Sequence, residues 1–112
     1  MNVKHQLKQM NPEEGLTFLE LLAHNLTIQV RIAASRREPY GENTEEQTRS
    51  SMYWINESLH DVVQLTRDLR LRRREWDPND IFSCLQIWLN YKNASEYVKS
   101  ALDVSFDELS NR

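Results

Sequence analysis

The sequence is poor in the residues that build tight turns. It contains 2 glycines and 3 prolines among 112 residues, whereas a sandwich or barrel of short strands needs a turn about every ten residues. Leucine, glutamate, arginine and glutamine, which favour helices, are plentiful instead. This scarcity argues against a turn-rich β architecture, and we expect an all-α fold.

Cysteine is almost absent as well, because Cys84 is the only one in the chain. A single thiol excludes an intramolecular disulfide and favours a reducing compartment. Cys84 lies among apolar residues, so we expect a buried, inert side chain, with a reactive thiol as the alternative.

No apolar run approaches the ~20 residues that cross a bilayer, and residues 1–10 lack the apolar core of an export signal. We therefore expect a cytoplasmic protein.

The chain also lacks an excess of positive charge. Its formal net charge is -3 at pH 7, so no overall field attracts it to nucleic acid or to an anionic membrane. Any such binding has to come from a local cluster of cations. With 112 residues the chain has the length of one domain and can bury a core without disulfides or a metal. We expect one helical domain over residues 1–112, with residues 1–10 frayed.

A helix start is clear at Asn11. Asn11 suits the N-cap, Pro12 suits the first helical position, and Glu14 can return a hydrogen bond to the cap. The apolar positions that follow cover more than one helix face, so this helix should contact more than one neighbour. They are Leu16, Phe18, Leu19, Leu21, Leu22, Ala23, Leu26, Ile28, Val30, Ile32 and Ala33.

A longer helix is predicted from Thr44 to about Glu75. Its apolar stripe repeats at alternating steps of three and four, the spacing that keeps one face towards a partner helix. Residues 35–43, which precede it, contain Pro39 and Gly41 and are predicted to form a short loop. Helices joined by a short loop run antiparallel, so we expect a helical hairpin. The stripe consists of Met52, Ile55, Leu59, Val62, Thr66 and Leu69.

Two shorter helices are predicted after the hairpin. Asp77 suits a cap and Pro78 a first position for a helix through about Tyr91. Residues 93–96 repeat this pattern before a compact fourth helix, and a last turn is predicted from Ser105. The expected fold is a long antiparallel helical hairpin with two shorter C-terminal helices packed over its open end, a bundle-like domain of four to five helices.

The hairpin alone leaves a wide apolar surface, formed by Phe18, Leu21, Ile28 and Ile32. Either the C-terminal helices or a second copy of the chain has to cover it. Wide apolar faces on small helical chains favour self-association, and we predict a homodimer.

The end of the long helix carries a cluster of arginines. Arg67, Arg70 and Arg74 recur at steps of three and four, so on one helix they share a side and can bind an acidic protein surface or a phosphate backbone. Arg72 and Arg73 lie beside them. The plainer alternative is a solvated helix end whose arginines offset the helix dipole and pair with nearby acids. The acids close in sequence are Asp68, Glu75 and Asp77.

Trp76 stands next to this cluster. Tryptophan beside arginine is typical of protein interfaces, where these residues supply much of the binding energy. The alternative is that Trp76 packs over the helix junction and holds it together. Our candidate partner-binding residues are Arg67, Arg70, Arg73, Arg74 and Trp76.

One spacing suggests a metal site. Glu57 and His60 form a Glu-x-x-His pair, and Glu20 is expected at about the same level on the first helix. Two such hairpins can in principle assemble the ligands of a di-iron bundle. The apolar stripe argues against such a metal site. When the stripe faces the partner helix, Glu57 and His60 point outwards and cannot converge on one metal ion.

A set of carboxylates superficially suggests the magnesium sites of all-helical nucleotide pyrophosphohydrolases. Those sites need acids that face one another across two helices. The facing stretch of the first helix, residues 26–34, contains no acid, so surface charge explains the set better. We find no nucleophile elbow, phosphate-binding glycine loop or zinc spacing. The set consists of Glu45, Glu46, Glu57 and Asp61.

We therefore interpret the chain as a non-enzymatic helical interaction or regulatory protein that binds a protein partner through a helical surface, without a cofactor or a membrane. One alternative is a nucleic-acid-binding accessory protein that uses residues 67–74. A second alternative is a metal-dependent helical-bundle hydrolase or a di-iron protein.

Overall fold

The computed structural model describes the backbone of residues 3–35, 44–89 and 92–112, and the side chains of residues 3–35, 55–84 and 96–112. Over this part of the chain the secondary structure is helical, without strands, which confirms the all-α fold. The helices are α1 (Val3–Lys8), α2 (Pro12–Ser35), α3 (Thr44–Arg70), α4 (Pro78–Leu89) and α5 (Lys92–Ser110).

The predicted start of α2 is confirmed in atomic detail. The Glu14 backbone N–H donates to Asn11 Oδ1 at 2.9 Å, and the Asn11 N–H donates to Glu14 Oε1 at 3.2 Å. Two of the N–H groups that a helix start leaves unpaired are thereby satisfied. Pro12 is the first residue of the helix, where its missing N–H costs no hydrogen bond.

The hairpin of α2 and α3 is antiparallel. Glu20, in the first half of α2, pairs with Arg70, the last residue of α3, so the two helices run in opposite directions. The predicted stripe of α3 faces inwards, since Ile55 and Val62 are fully buried and Thr66 is 6% exposed. Leu59 and Leu69 pack against the same core. Met52 lies outside the described side chains.

The end of α3 at Arg70 corrects the predicted end near Glu75. The chain reverses at Arg72, which has a φ of 55°. Two carbonyls of the last turn are satisfied by this reversal, because the Arg73 N–H donates to Asp68 O at 2.9 Å and the Arg72 N–H to Leu69 O at 3.2 Å. This is a Schellman cap, which normally carries glycine at the left-handed position. Arginine there gives no sequence signal for the end of the helix.

α5 is longer than the compact helix that we predicted. It runs unbroken through the position where we expected a new turn, at Ser105. The Ser105 hydroxyl donates to the Ala101 carbonyl at 2.6 Å, so it bonds within the helix and does not cap a new one. α5 packs along both α2 and α3, and the ring of Phe106 stacks on Phe18 with centroids 4.6 Å apart.

The apolar surface of α2 is largely covered within the chain. Phe18 is fully buried and Leu21 is 8% exposed, whereas Ile28 remains 37% exposed. Ile32 is half-buried. The expected contact of α2 with more than one neighbour is confirmed, because both α3 and α5 pack on it. The buried core cluster comprises Leu7, Phe18, Leu19, Leu22, Leu26, Ala33, Ile55, Val62, Leu65, Ile81, Val98, Ala101, Leu102 and Phe106.

A polar contact is buried between α2 and α5. Asn25 is 5% exposed, and its amide Nδ2 donates to Ser105 Oγ at 2.9 Å and to Glu108 Oε1 at 2.8 Å. A buried amide is costly unless it is hydrogen-bonded. The pair of acceptors therefore favours one axial position of α5 along α2.

α1 and α4 lie at the open end of the hairpin. The prediction that residues 1–10 are frayed is corrected over Val3–Lys8, which is helical and buries Leu7 to 1% exposure. The predicted cap of α4 is confirmed, because Asp77 Oδ1 accepts the Asn79 N–H at 2.9 Å. The helix ends at Leu89, and the predicted end at Tyr91 lies outside the described residues.

The left-handed residue predicts a stabilising substitution. Arg72→Gly removes the clash between Cβ and the following carbonyl, so we expect the free energy of unfolding to rise by about 0.5–1 kcal/mol. Urea unfolding followed by circular dichroism measures it. Arg73→Gly is the matched control, because it removes the same charge without relieving a positive φ. Equal effects of the two substitutions would contradict the explanation.

Candidate functional site

A groove between the first half of α2 and the last turns of α3 contains two of the predicted partner-binding residues. Its volume is about 650 Å³. We call it the α2–α3 groove. Its lining consists of Glu20, Ala23, Val63, Thr66, Arg67, Arg70 and Leu71.

Exposed aliphatic side chains give the α2–α3 groove its apolar character. Val63 is 50% exposed and Leu71 is 51% exposed. Both lie off the buried stripe of α3, so no described helix covers them. Ala23 on α2 is half-buried between them and the core. The groove thus offers apolar surface that burial against another molecule would stabilise.

Charge is distributed unequally over the two walls of the groove. On the α3 wall, Arg70 donates to the Glu20 carboxylate across the groove. The two side chains are 56% and 45% exposed, and solvent makes such an ion pair weak. Arg67, one turn earlier on α3, is exposed and forms no ion pair with any described side chain. Arg67 is therefore a cation available to a partner.

The other predicted arginines follow the end of α3. Because the helix ends at Arg70, the expectation that Arg67, Arg70 and Arg74 share one side of a helix is wrong. Arg74 Nη1 lies 3.6 Å from Asp80 Oδ1 on α4. Arg73 is exposed and, among the described side chains, has no ion-pair partner. The acids paired with the cluster are thus Glu20 and Asp80, and not the acids close in sequence.

Trp76 packs over the helix junction, which is the alternative that we gave to an interface role. Its indole Nε1 donates to the Met10 carbonyl at 3.1 Å. Its ring lies against Gly15, where an added Cβ would be 2.5 Å from two ring atoms. Trp76 therefore fastens the segment after α3 onto the start of α2, and glycine at position 15 makes room for the ring. A contact of its exposed part with a partner stays a prediction.

The residues of the suggested metal site lie apart. Glu57 and His60 are exposed on α3, as expected from the stripe. The expectation that Glu20 lies at their level is wrong, because Glu20 pairs with Arg70, about 15 Å further along α3 than His60. Within the described side chains, no three His, Cys, Asp or Glu residues are grouped as metal ligands are. Glu45 and Glu46 lie outside the described side chains.

The thiol of Cys84 is half-buried on α4. Burial raises its pKa from 9.0 to about 11, and the negative charges of Asp61 and Asp80 add to the shift. The thiol is therefore protonated near neutral pH, and its nucleophilic form is scarce. The scarce thiolate supports the inert side chain that we expected, whereas the expected burial is only partial.

Comparison of the chain with models of known protein families, with curated proteins and with solved structures finds no match. None of the helices in the described part of the chain combines the length and the apolar composition that crossing a membrane requires.

Arg67 and Arg70 were predicted as partner-binding residues from the sequence, whereas the other five residues of the groove lining were not. Val63 and Leu71 carried a usable signal, because both are apolar positions outside the buried stripe. Val63 lies one helical turn before Arg67, and Leu71 stands between two arginines. Glu20 carried none, since its pairing with Arg70 joins residues 50 positions apart.

The contact between Gly15 and Trp76 predicts a destabilising substitution. In Gly15→Ala, overpacking costs about 1–3 kcal/mol, and the gain in helix propensity offsets about 1 kcal/mol of that. We expect a net loss of up to about 2 kcal/mol in the free energy of unfolding, measured by urea denaturation. His24→Ala, at an exposed α2 position, is the control and should be nearly neutral. The loss should shrink in a Trp76→Leu background; an unchanged loss there would contradict the contact.

The raised pKa of Cys84 predicts a pH dependence of alkylation. With a pKa of about 11 instead of 9.0, the thiolate fraction at pH 8 is roughly 100-fold lower than in an ordinary thiol. Iodoacetamide should therefore react slowly with the folded chain, and the rate should keep rising above pH 9. The urea-unfolded chain is the control, and its rate should level off near the ordinary pKa. Equal rates in both states at pH 8 would contradict the effect of burial.

Proposed function

We propose that the chain is a non-enzymatic interaction protein that binds a protein partner through the α2–α3 groove. The observation that carries the proposal is the apolar surface of Val63 and Leu71 beside Arg67, a cation without an ion-pair partner among the described side chains. Apolar side chains with arginine at their margin are the composition that protein interfaces favour. Both walls are helices that are already packed on the core, so the surface exists before a partner binds.

A nucleic-acid-binding role is the second candidate. Arg67, Arg72 and Arg73 support it, because each is exposed and has no ion-pair partner among the described side chains. The net charge of -3 and the apolar part of the groove favour a protein partner instead. Gel retardation that weakens with salt and is abolished by Arg67→Glu with Arg73→Glu would favour nucleic acid.

A homodimer and a cytoplasmic location belong to the same proposal. The homodimer is supported by Ile28, which is 37% exposed although Phe18 and Leu21 on the same helix are buried. The cytoplasmic location is supported by the lone thiol of Cys84, which suits a reducing compartment. Sedimentation of the purified chain over a range of concentrations measures the oligomeric state.

The proposal predicts that a charge in the groove abolishes capture of the partner. Val63→Glu places a carboxylate on exposed apolar surface, so we expect the fold to survive and the partner to be lost from a pull-down in the native host, read by quantitative mass spectrometry. Val104→Glu is the matched control, because Val104 is 44% exposed on α5, away from the groove. A partner retained by both variants, or lost from both, would contradict binding through the α2–α3 groove.

A further inference from the structure

We infer that the occupant of the α2–α3 groove is an amphipathic helix of the partner, with acidic side chains along the flank that faces α3. This inference rests on the proposed function and adds the chemistry of the partner.

The walls favour a helix over an extended segment. An extended peptide binds by adding to the free N–H and C=O groups of a sheet edge. α2 and α3 use their backbone groups within the helices, so the groove presents side chains and no such edge. A helix instead packs its side chains between the ridges of two neighbouring helices. From Val63 to Leu71 the groove extends for about 12 Å along α3, which matches roughly two turns of an occupant helix.

The charges on the two walls determine which flank of a bound helix can carry acidic side chains. Arg67 and Arg70 lie on the α3 wall, and Glu20 lies on the α2 wall. A carboxylate along the α3 wall meets the guanidinium of Arg67, whereas the α2 residues of the lining, Glu20 and Ala23, offer it no cation. An occupant with one acidic flank therefore binds in a single rotational orientation.

Arg67 and Arg70 contribute differently because only Arg70 is already paired. An acid of the partner has to compete with Glu20 for Arg70. Arg67 has no described ion-pair partner, so its attraction is available in full. Arg67 is therefore the residue that selects acidic partners, and Arg70 serves mainly to hold Glu20 across the groove.

The test uses two synthetic helical peptides of about 15 residues with the same leucine stripe, one flanked by glutamate and the other by lysine. Their dissociation constants for the full chain are measured by fluorescence anisotropy at low salt. We expect the glutamate peptide to bind at least ~10-fold more tightly. Arg67→Glu should remove this preference, and Arg31→Glu, an equal change of charge at an exposed α2 position, should leave it intact. Amide shifts in NMR spectra should locate binding at Ala23, Val63 and Leu71.

Each other outcome overturns the inference. Equal binding of the two peptides, a preference that survives Arg67→Glu, or binding of neither peptide removes the acidic helix as the occupant. Self-association that disappears in Val63→Glu makes a second copy of the chain the occupant instead. The proposed function is judged separately, because a native partner that is lost in Val63→Glu but retained in Arg67→Glu leaves the groove as the binding site and excludes only the acidic flank. Circular dichroism of each variant checks that the fold is intact.

Discussion

The packing of α2 against two helices at once is the constraint on which the rest of the structure depends. α3 covers one side of α2, and α5 covers another through the stacked rings of Phe18 and Phe106. The hydrogen bonds of the Asn25 amide set the position of α5 along α2. Their acceptors, Ser105 and Glu108, reach the amide only when α5 has one axial offset relative to α2. α5 contributes no residue to the α2–α3 groove, whose described lining comes from α2, α3 and Leu71.

The parts of the fold that were predictable from sequence are those set by neighbouring residues. The caps at Asn11 and Asp77 act over two or three positions, and the stripe of α3 repeats within one helix. The end of α3 was missed because Arg72 occupies a conformation that glycine usually signals. The length of α5 was missed because serine is a common N-cap residue, so Ser105 suggested the start of a new helix. In the structure Ser105 lies within α5 and is fully buried.

The candidate site was predictable in its charges but not in its geometry. The arginines are visible as a cluster in the sequence, yet their partners Glu20 and Asp80 lie on other helices. The packing of Trp76 depends on Gly15, which only the fold brings next to it. The spacing of neighbouring residues does not predict these contacts, because they depend on the direction and the axial offset of packed helices.

The fastening of Trp76 to Met10 and Gly15 has a kinetic consequence. It ties the start of α2 to the segment that follows α3, at the end of the hairpin where the groove lies. A binding surface held in place in this way loses little conformational entropy on association. If the α2–α3 groove binds a protein as proposed, we expect complex formation to be limited by diffusion and orientation, without a slow rearrangement at this end of the hairpin.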